Sequence, residues 1–369
     1  MNKIVLCGGH LSPALAVIEA LEGEDLEIIF FGRRHVTEGH KNLSSEYSEV
    51  TKTKATFIGI TTGRLQRKFT PFMLISLLKL PLGFIQSLYF LLKFKPDLIV
   101  SFGSYHSVPT VIAGWLLKIK SIAHEQASIP GLATKINSHF VRKIFLTWPE
   151  SSKYISGPKT QIVGNLTRKL VFAKTAKSRE IKNFLKSDGP KIFITGGNQG
   201  SHFINKIIFE ALPKLKKYKI IHQVGRTNFK GDLDHAKQIS KPWYLPLGFI
   251  PSQDIGAIFN SADLVIGRSG ANTVWELALL AKISILIPLP HSAYGEQEQN
   301  AANLQKAGSS AVINQQDASP NKLIGTIDEM IKNQEVYQNK ARELSKKLPS
   351  NGIGIVKKYI LKTLHAQST

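Results

Sequence analysis

Cysteine is nearly missing from this chain of 369 residues, Cys7 being the single one. One thiol closes no internal disulfide and builds no cysteine-rich metal site, so the fold rests on its own core and suits a reducing compartment. Cys7 follows Ile4, Val5 and Leu6, a place that fits either a small residue ending a strand or a reactive thiol. Acidic residues are also scarce, 26 against 48 lysines and arginines, and residues 50–96 contain none. The resulting formal charge of +22 calls for an anionic partner: nucleic acid, an acidic membrane surface or a phosphorylated substrate. Long apolar runs are lacking as well. The uncharged stretch 80–92 is broken by Pro81 and falls short of the roughly 20 residues a bilayer crossing needs. The amino terminus reaches Gly8 and Gly9 after a short apolar run and has no secretory core, which points to a cytoplasmic protein.

What is present is a repeated alternation. With 43% hydrophobic residues the chain can fill two domains of about 150–200 residues. Apolar runs at 3–6, 26–31, 97–101, 121–123, 191–195, 220–224, 264–266 and 283–287 alternate with helical patterns, the mark of an α/β fold with parallel sheets. The runs at 3–6 and 191–195 each precede Gly-Gly, and those at 97–101 and 264–266 each precede a Gly/Ser turn, which predicts two Rossmann-like halves. A linker near Val163-Gly164-Asn165 separates an amino-terminal domain, 1–163, from a carboxy-terminal domain, 164–349. Residues 350–369 carry a further helical pattern able to cross back to the first domain.

Three loops have the composition of phosphate cradles: Gly8-Gly9-His10, Gly103-Ser104-Tyr105-His106-Ser107, and Gly196-Gly197-Asn198-Gln199-Gly200. Glycine lets backbone amides approach an anion, and the helix that follows adds positive potential. None completes Gly-x-Gly-x-x-Gly and no Gly-Lys pair occurs, so neither a dinucleotide fingerprint nor a P-loop is present. The most informative stretch is 263–277, where an apolar run enters a turn, Arg268-Ser269-Gly270, and then a helix. Val274, Leu277, Ala278 and Ala281 would face the sheet and leave Asn272, Thr273 and Glu276 on the other side. Glu276 fits two readings: a carboxylate accepting from two ribose hydroxyls, or a helix-start acid stabilised by the dipole. Asp232-Leu233-Asp234 is a formal Asp-x-Asp match of the kind that holds a metal ion, but it lies among Lys230, His235 and Lys237 after no apolar strand and reads as a solvated helix start.

Between 65 and 94 apolar residues exceed what one buried helical stripe requires, while Lys52, Lys54, Arg64, Arg67, Lys68, Lys79, Lys93 and Lys95 punctuate the surroundings. Two readings fit, a basic apolar helix lying on anionic lipid or a pair of core helices with solvated lysines. Nucleic-acid readers rarely have this pattern, so no nucleic-acid partner is expected.

The ordered set of short motifs resembles the MurG family, peptidoglycan N-acetylglucosaminyltransferases that make lipid II from lipid I. The motifs span most of the chain: Gly8-Gly9-His10, Gly103 to Pro109, His124-Glu125-Gln126, Val163-Gly164-Asn165 with Arg168, Gly196 to Gly200, His222-Gln223-Val224-Gly225, Arg268 to Glu276, and Gln297-x-x-Asn300-Ala301. The resemblance implies a GT-B fold, two Rossmann-like domains whose parallel sheets face across a cleft. It implies UDP-N-acetylglucosamine as donor, an undecaprenyl-pyrophosphate-linked acceptor, inversion at the sugar without a compulsory metal or other cofactor, and peripheral attachment at the cytoplasmic face of the cell membrane. By the same resemblance His10 would be the general base. Glu276 would hold the donor ribose, with Asn198, Ala271, Asn272 and Thr273 near the diphosphate or ribose. The backbone of Ile250 would meet uracil, Arg168 the diphosphate and Gln297 the sugar. Gly8, Gly9, Gly103, Ser104, Tyr105 and Ser107 would receive the acceptor diphosphate. The chain departs from the family pattern at Cys7 for threonine, Ala127 for asparagine and Asn198 for serine.

Overall fold

A computed structural model describes residues 1–35, 43–63, 71–292 and 295–366, apart from the side chains of 71–78. The chain forms two compact units, Met1–Arg168 with Pro349–Thr369, and Lys169–Leu348.

In the first unit seven strands, counted among the described residues, form one parallel sheet in the order β3-β2-β1-β4-β5-β6-β7. They are β1 (Asn2–Cys7), β2 (Leu26–Gly32), β3 (Thr56–Gly59), β4 (Leu98–Ser101), β5 (Lys120–Glu125), β6 (Lys143–Leu146) and β7 (Thr160–Ile162). Side chains alternate across the pleat. Ile4, Leu6, Phe30, Leu98 and Val100 pack on one face beneath α1 (Leu11–Ala20) and α14 (Gly352–His365). Val5, Cys7, Ile29, Phe31 and Ile99 face the other way, towards α3 (Pro71–Phe94) and α4 (Ser107–Leu116). Burial on both faces is why these strands read as unbroken apolar runs. It also places Cys7 in the core, where loss of water pushes its thiol up to about 12 and leaves it unreactive.

The carboxy-terminal helix α14 belongs to this first unit and delivers Val356, Ile360 and Leu364 into the core. Its first residue, Gly352, has no room for a side chain, since a Cβ there would stand 2.6 Å from the Val163 carbonyl oxygen. The unit ends at Arg168 and resumes at Pro349, a few residues from the 163/164 and 349/350 divisions read from the sequence. Leu166 is the reason: it is buried in the same core as Val163, and Arg168 pairs with Glu19 of α1.

The second unit repeats the plan. Six strands among its described residues, β8 (Lys191–Thr195), β9 (Lys219–Gln223), β10 (Tyr244–Leu247), β11 (Leu264–Gly267), β12 (Ser284–Leu286) and β13 (Ser310–Val312), pair in parallel in the order β10-β9-β8-β11-β12-β13. Their core-facing residues, including Ile192, Ile194, Ile220 and Ile266, pack with α7 (His202–Ala211), α12 (Pro320–Lys332) and α13 (Gln334–Lys347). In each sheet the strand order reverses beside the first strand of the unit, between β1 and β4 and between β8 and β11. That reversal opens a crevice at the carboxyl ends of the strands, the usual ligand position in such sheets.

Candidate active site

The loops after β1 and β4 meet at the reversal point of the first sheet. Gly9 N–H donates to the Gly103 carbonyl at 3.3 Å, and a Cβ on Gly8 would lie 2.5 Å from that oxygen. Gly8 (φ 125°) and Gly103 (φ 67°) both take left-handed backbone, which glycine adopts without strain. Gly8, Gly9, Gly103 and Ser104 are thereby brought together. Tyr105 is half-buried with its ring against His106. Ser107 is fully buried, donates to the Ser104 carbonyl at 2.9 Å and accepts from Asn137 at 2.8 Å, so its hydroxyl holds the loop together.

His10 sits at the start of α1 and caps nothing with its side chain. Its Nδ1 lies 2.7 Å from the Gln126 amide, and its Nε2 edge borders Gly103, where a Cβ would come within 3.3 Å. As placed, Gln126 turns Nε2 to the ring and leaves its own Oε1 buried without a partner. The amide turned by 180° accepts from Nδ1–H and frees the Nε2 lone pair, the tautomer a base requires. Gln126 is aimed by its neighbour. Glu125 is buried at the end of β5 and accepts from the backbone of Ala127 at 2.9 Å and Gly131 at 3.4 Å, tying down the turn that carries Gln126. Burial raises the pKa of its carboxyl. His124, next to it on β5, is likewise buried and pushed down to about 3 by loss of water, with the Thr147 hydroxyl at 3.3 Å. His124 and Glu125 thus have separate partners, and Glu125 is the one that braces the loop.

One cluster here escaped the sequence reading. Glu46, buried at the start of α2 (Ser45–Val50), accepts from Arg33 N–H at 2.8 Å and from its guanidinium at 3.1 Å. A Cβ on Gly9 would stand 3.7 Å from the same carboxylate. A short exposed-looking helix gives no sign in sequence that its acid is buried.

In the second unit a cavity of about 510 Å³ opens at the reversal point of the sheet. Gly196, Gly197, Gly200 and Ser201 form one wall, and Arg268, Gly270 and Thr273 another, with Gln297, Gln315 and His202 completing it. The glycine loop is fixed from beneath: Thr195 Oγ1 accepts from Gly197 N–H at 2.9 Å and donates to Gln223 at 2.7 Å, and Gln223 in turn donates to Asn198 Oδ1 at 3.3 Å. Arg268 is locked. Its Nη1 donates to the carbonyls of Ile287 and Pro288, and its Nη2 to Ser201 Oγ and Gln315 Oε1, all within 3.0 Å. Partial burial lowers its pKa to about 10, which still leaves it charged at neutral pH. Gln297 accepts from Leu289 N–H at 3.0 Å, and Ser269 Oγ donates to its carbonyl at 2.8 Å.

Of the expected donor residues, Thr273 and Gln297 line this cavity. Ala271, Asn272 and Glu276 lie on the adjoining α10 (Ala271–Leu279), Ala271 buried and the other two half-buried, while Val274, Trp275, Leu277 and Ala278 form its core face. Glu276 therefore does not point into packed hydrocarbon. Asn198 is exposed on the glycine loop, and Ile250, its side chain buried, sits between β10 and α9 (Ser252–Ser261). Arg168 is the last residue of the first unit's leading segment, and its guanidinium pairs with Glu19, with Nε to Oε1 at 2.6 Å. Asp232 overturns its reading as a solvated helix start: at the first position of α8 (Asp232–Gln238) it is buried, and its carboxylate lies 2.8 Å from His202 Nδ1. Asp234 is exposed and accepts from Asn228, so the two acids serve different partners. No group of three or more potential metal ligands occurs among the described residues.

Two Rossmann-like units with glycine loops at both sheet reversals define the GT-B fold. Comparisons place the chain within it. A family model for the glycosyltransferase family 28 N-terminal domain matches residues 7–146, and one for the family 28 C-terminal domain matches 191–351. A Clostridium perfringens protein named UDP-N-acetylglucosamine--N-acetylmuramyl-(pentapeptide) pyrophosphoryl-undecaprenol N-acetylglucosamine transferase is 33% identical over 98% of this chain and 99% of its own length. Among solved structures, Acinetobacter baumannii MurG covers 98% of this chain and 100% of its own at 20% identity with a TM-score of 0.71. A UDP-GlcNAc 2-epimerase from Neisseria meningitidis has the same coverage at 15% identity and a TM-score of 0.66. The chain belongs to the MurG family of family 28 glycosyltransferases.

Proposed function

We propose that this protein transfers N-acetylglucosamine from UDP-N-acetylglucosamine to lipid I, forming lipid II. The second unit takes the donor. Its glycine loop and the start of α10 offer backbone amides to the diphosphate, Glu276 accepts from the ribose hydroxyls, and the Ile250 backbone meets uracil. The first unit takes the acceptor, whose diphosphate rests on the loops at Gly8–Gly9 and Gly103–Ser104. The acceptor hydroxyl attacks the anomeric carbon as the bond to the UDP oxygen breaks, its proton passes to His10 Nε2, and the sugar inverts. Negative charge developing on UDP is met by the amides around the cavity.

The observation that carries this reading is the match over nearly the whole chain to a relative named for that transfer, since the fold alone is shared with an epimerase. The test supplies UDP-N-acetylglucosamine and lipid I and follows UDP release with mass spectrometry of the lipid. Lipid II is the expected product. Donor turnover without lipid would make the protein an epimerase, and donor binding without turnover would make it a non-catalytic binder.

We place the first unit on the inner face of the membrane. Along α3, Leu82, Ile85, Tyr89 and Leu92 form an exposed apolar stripe, and Trp115 and Leu116 at the end of α4 are exposed too. The opposite side of α3 packs on the sheet through Leu88, Leu91 and Phe94, so the helix serves as core and as apolar surface at once. Lys93 and Lys95 are exposed at its end, whereas Arg64, Arg67, Lys68 and Phe69, and the side chains from Phe72 to Leu78, lie outside the described residues. No helix among the described residues is long and apolar enough to cross a membrane. The exposed apolar stripe, with lysines at its end, supports peripheral attachment.

A further inference from the structure

The motif reading leaves one titratable pair unused at the donor cavity. His202 opens α7 and lines the cavity beside Gly200 and Ser201. Its Nδ1 lies 2.8 and 3.0 Å from the two oxygens of Asp232. That carboxylate is 6% exposed and is held in turn by Asn205 Nδ2 at 2.7 Å. Behind it, Asn205 Oδ1 is 3.1 Å from His222 Nε2, and His222 Nδ1 is 3.0 Å from the Tyr244 hydroxyl. Loss of water pushes His222 down to about 3, so the far end of this chain of hydrogen bonds is neutral. A buried carboxylate fed from behind by an amide fixes the imidazole in one orientation and takes up Nδ1–H, leaving Nε2 as the ring nitrogen for the cavity. The ring is flanked on its outer side by Phe229, at 5.7 Å between centroids. Arg268 also lines the wall, and its four terminal N–H bonds are already given to protein oxygens.

We propose that His202, oriented by Asp232, donates from Nε2 to the diphosphate of the sugar nucleotide, adding a side-chain donor to the amides of the glycine loop. The proposal rests on the reading of this cavity as the donor site. His202 is the binding group and Asp232 its positioning residue. With the Asp232 carboxylate at Nδ1 and the anionic diphosphate at Nε2, the ring lies between two charged acceptors, so the pair meets the departing UDP with a charge-assisted hydrogen bond.

The test measures binding of UDP and of uridine to the full-length chain by titration calorimetry. His202→Gln should weaken UDP about tenfold, the value of one charge-assisted hydrogen bond, and leave uridine unchanged. His202→Lys, which restores a cationic donor, should recover most of the loss. Asp232→Asn should weaken UDP in the wild-type background and add nothing in the His202→Gln background, a coupling that a purely structural role for Asp232 would not produce. Equal UDP affinity in wild type and His202→Gln, with uridine bound by both, overturns the inference and leaves the donor site standing. A wild-type chain that binds neither ligand removes the donor-site reading itself, and the inference with it.

Discussion

In the proposed reaction His10 is the base and Gln126, 2.7 Å from its Nδ1, sets the orientation of the ring. His10→Ala should lower kcat about 10²–10⁴-fold, the range of a lost general base, while UDP binding in the second unit stays at wild-type strength. Stopped turnover with calorimetrically normal UDP binding would be the signature, and an unchanged kcat would remove His10 from the mechanism. A second residue-scale outcome concerns acid stability. His222 is buried and neutral, with its pKa pushed down to about 3, so below the ordinary histidine value of about 6.5 the unfolded chain binds a proton that the folded one refuses. Stability therefore falls as pH drops from 6.5 towards 3, by up to about 1.4 kcal/mol per pH unit from this group. Denaturant unfolding of His222→Gln against pH should show a shallower slope over that window than the wild type. Several single residues were open to reading from sequence: the glycines at the sheet reversals, and His10 beside them. Asp232 was not, because the carboxylate is buried by His202 and Asn205, which sit about thirty positions earlier in the chain.

At the scale of elements, α3 and α14 owe their roles to what they pack against. Replacing Ile85, Tyr89 and Leu92 together by serine should reduce co-sedimentation with anionic vesicles while leaving the unfolding midpoint nearly unmoved, since all three are exposed. Undiminished sedimentation would show that lipid is met elsewhere. Ile360 on α14 is fully buried, and Ile360→Ala should cost about 2–5 kcal/mol, read from denaturant unfolding. The strands found from sequence, β1, β2, β4, β5, β8, β9, β11 and β12, include the centre of both sheets, where burial on two faces writes a plain apolar run. The strands that escaped are β3, β6, β7, β10 and β13, at the sheet margins. Thr56–Gly59 and Thr160–Ile162 are half-exposed, and such short, mixed sequences do not separate from loops by pattern alone.

For the molecule as a whole, the charge of +22 acts over a distance that no single element does. Vesicle binding should weaken steeply as salt is raised from about 0.05 to 0.5 M, because screening shortens the Debye length from above to below 10 Å. A residual binding at high salt should depend on the apolar stripe of α3, whereas salt-independent binding would mean that the basic surface takes no part.

The sequence alone determined the α/β class, the doubling of the plan and the glycine turns, because each is written in local periodicity and in residues that backbone geometry demands. Tertiary structure alone decided that Ser107 meets Asn137 and Arg168 meets Glu19, that Asp232 is buried against His202, and that the last helix completes the first core. Those outcomes depend on which distant side chain arrives beside a polar group, and no local pattern carries that information.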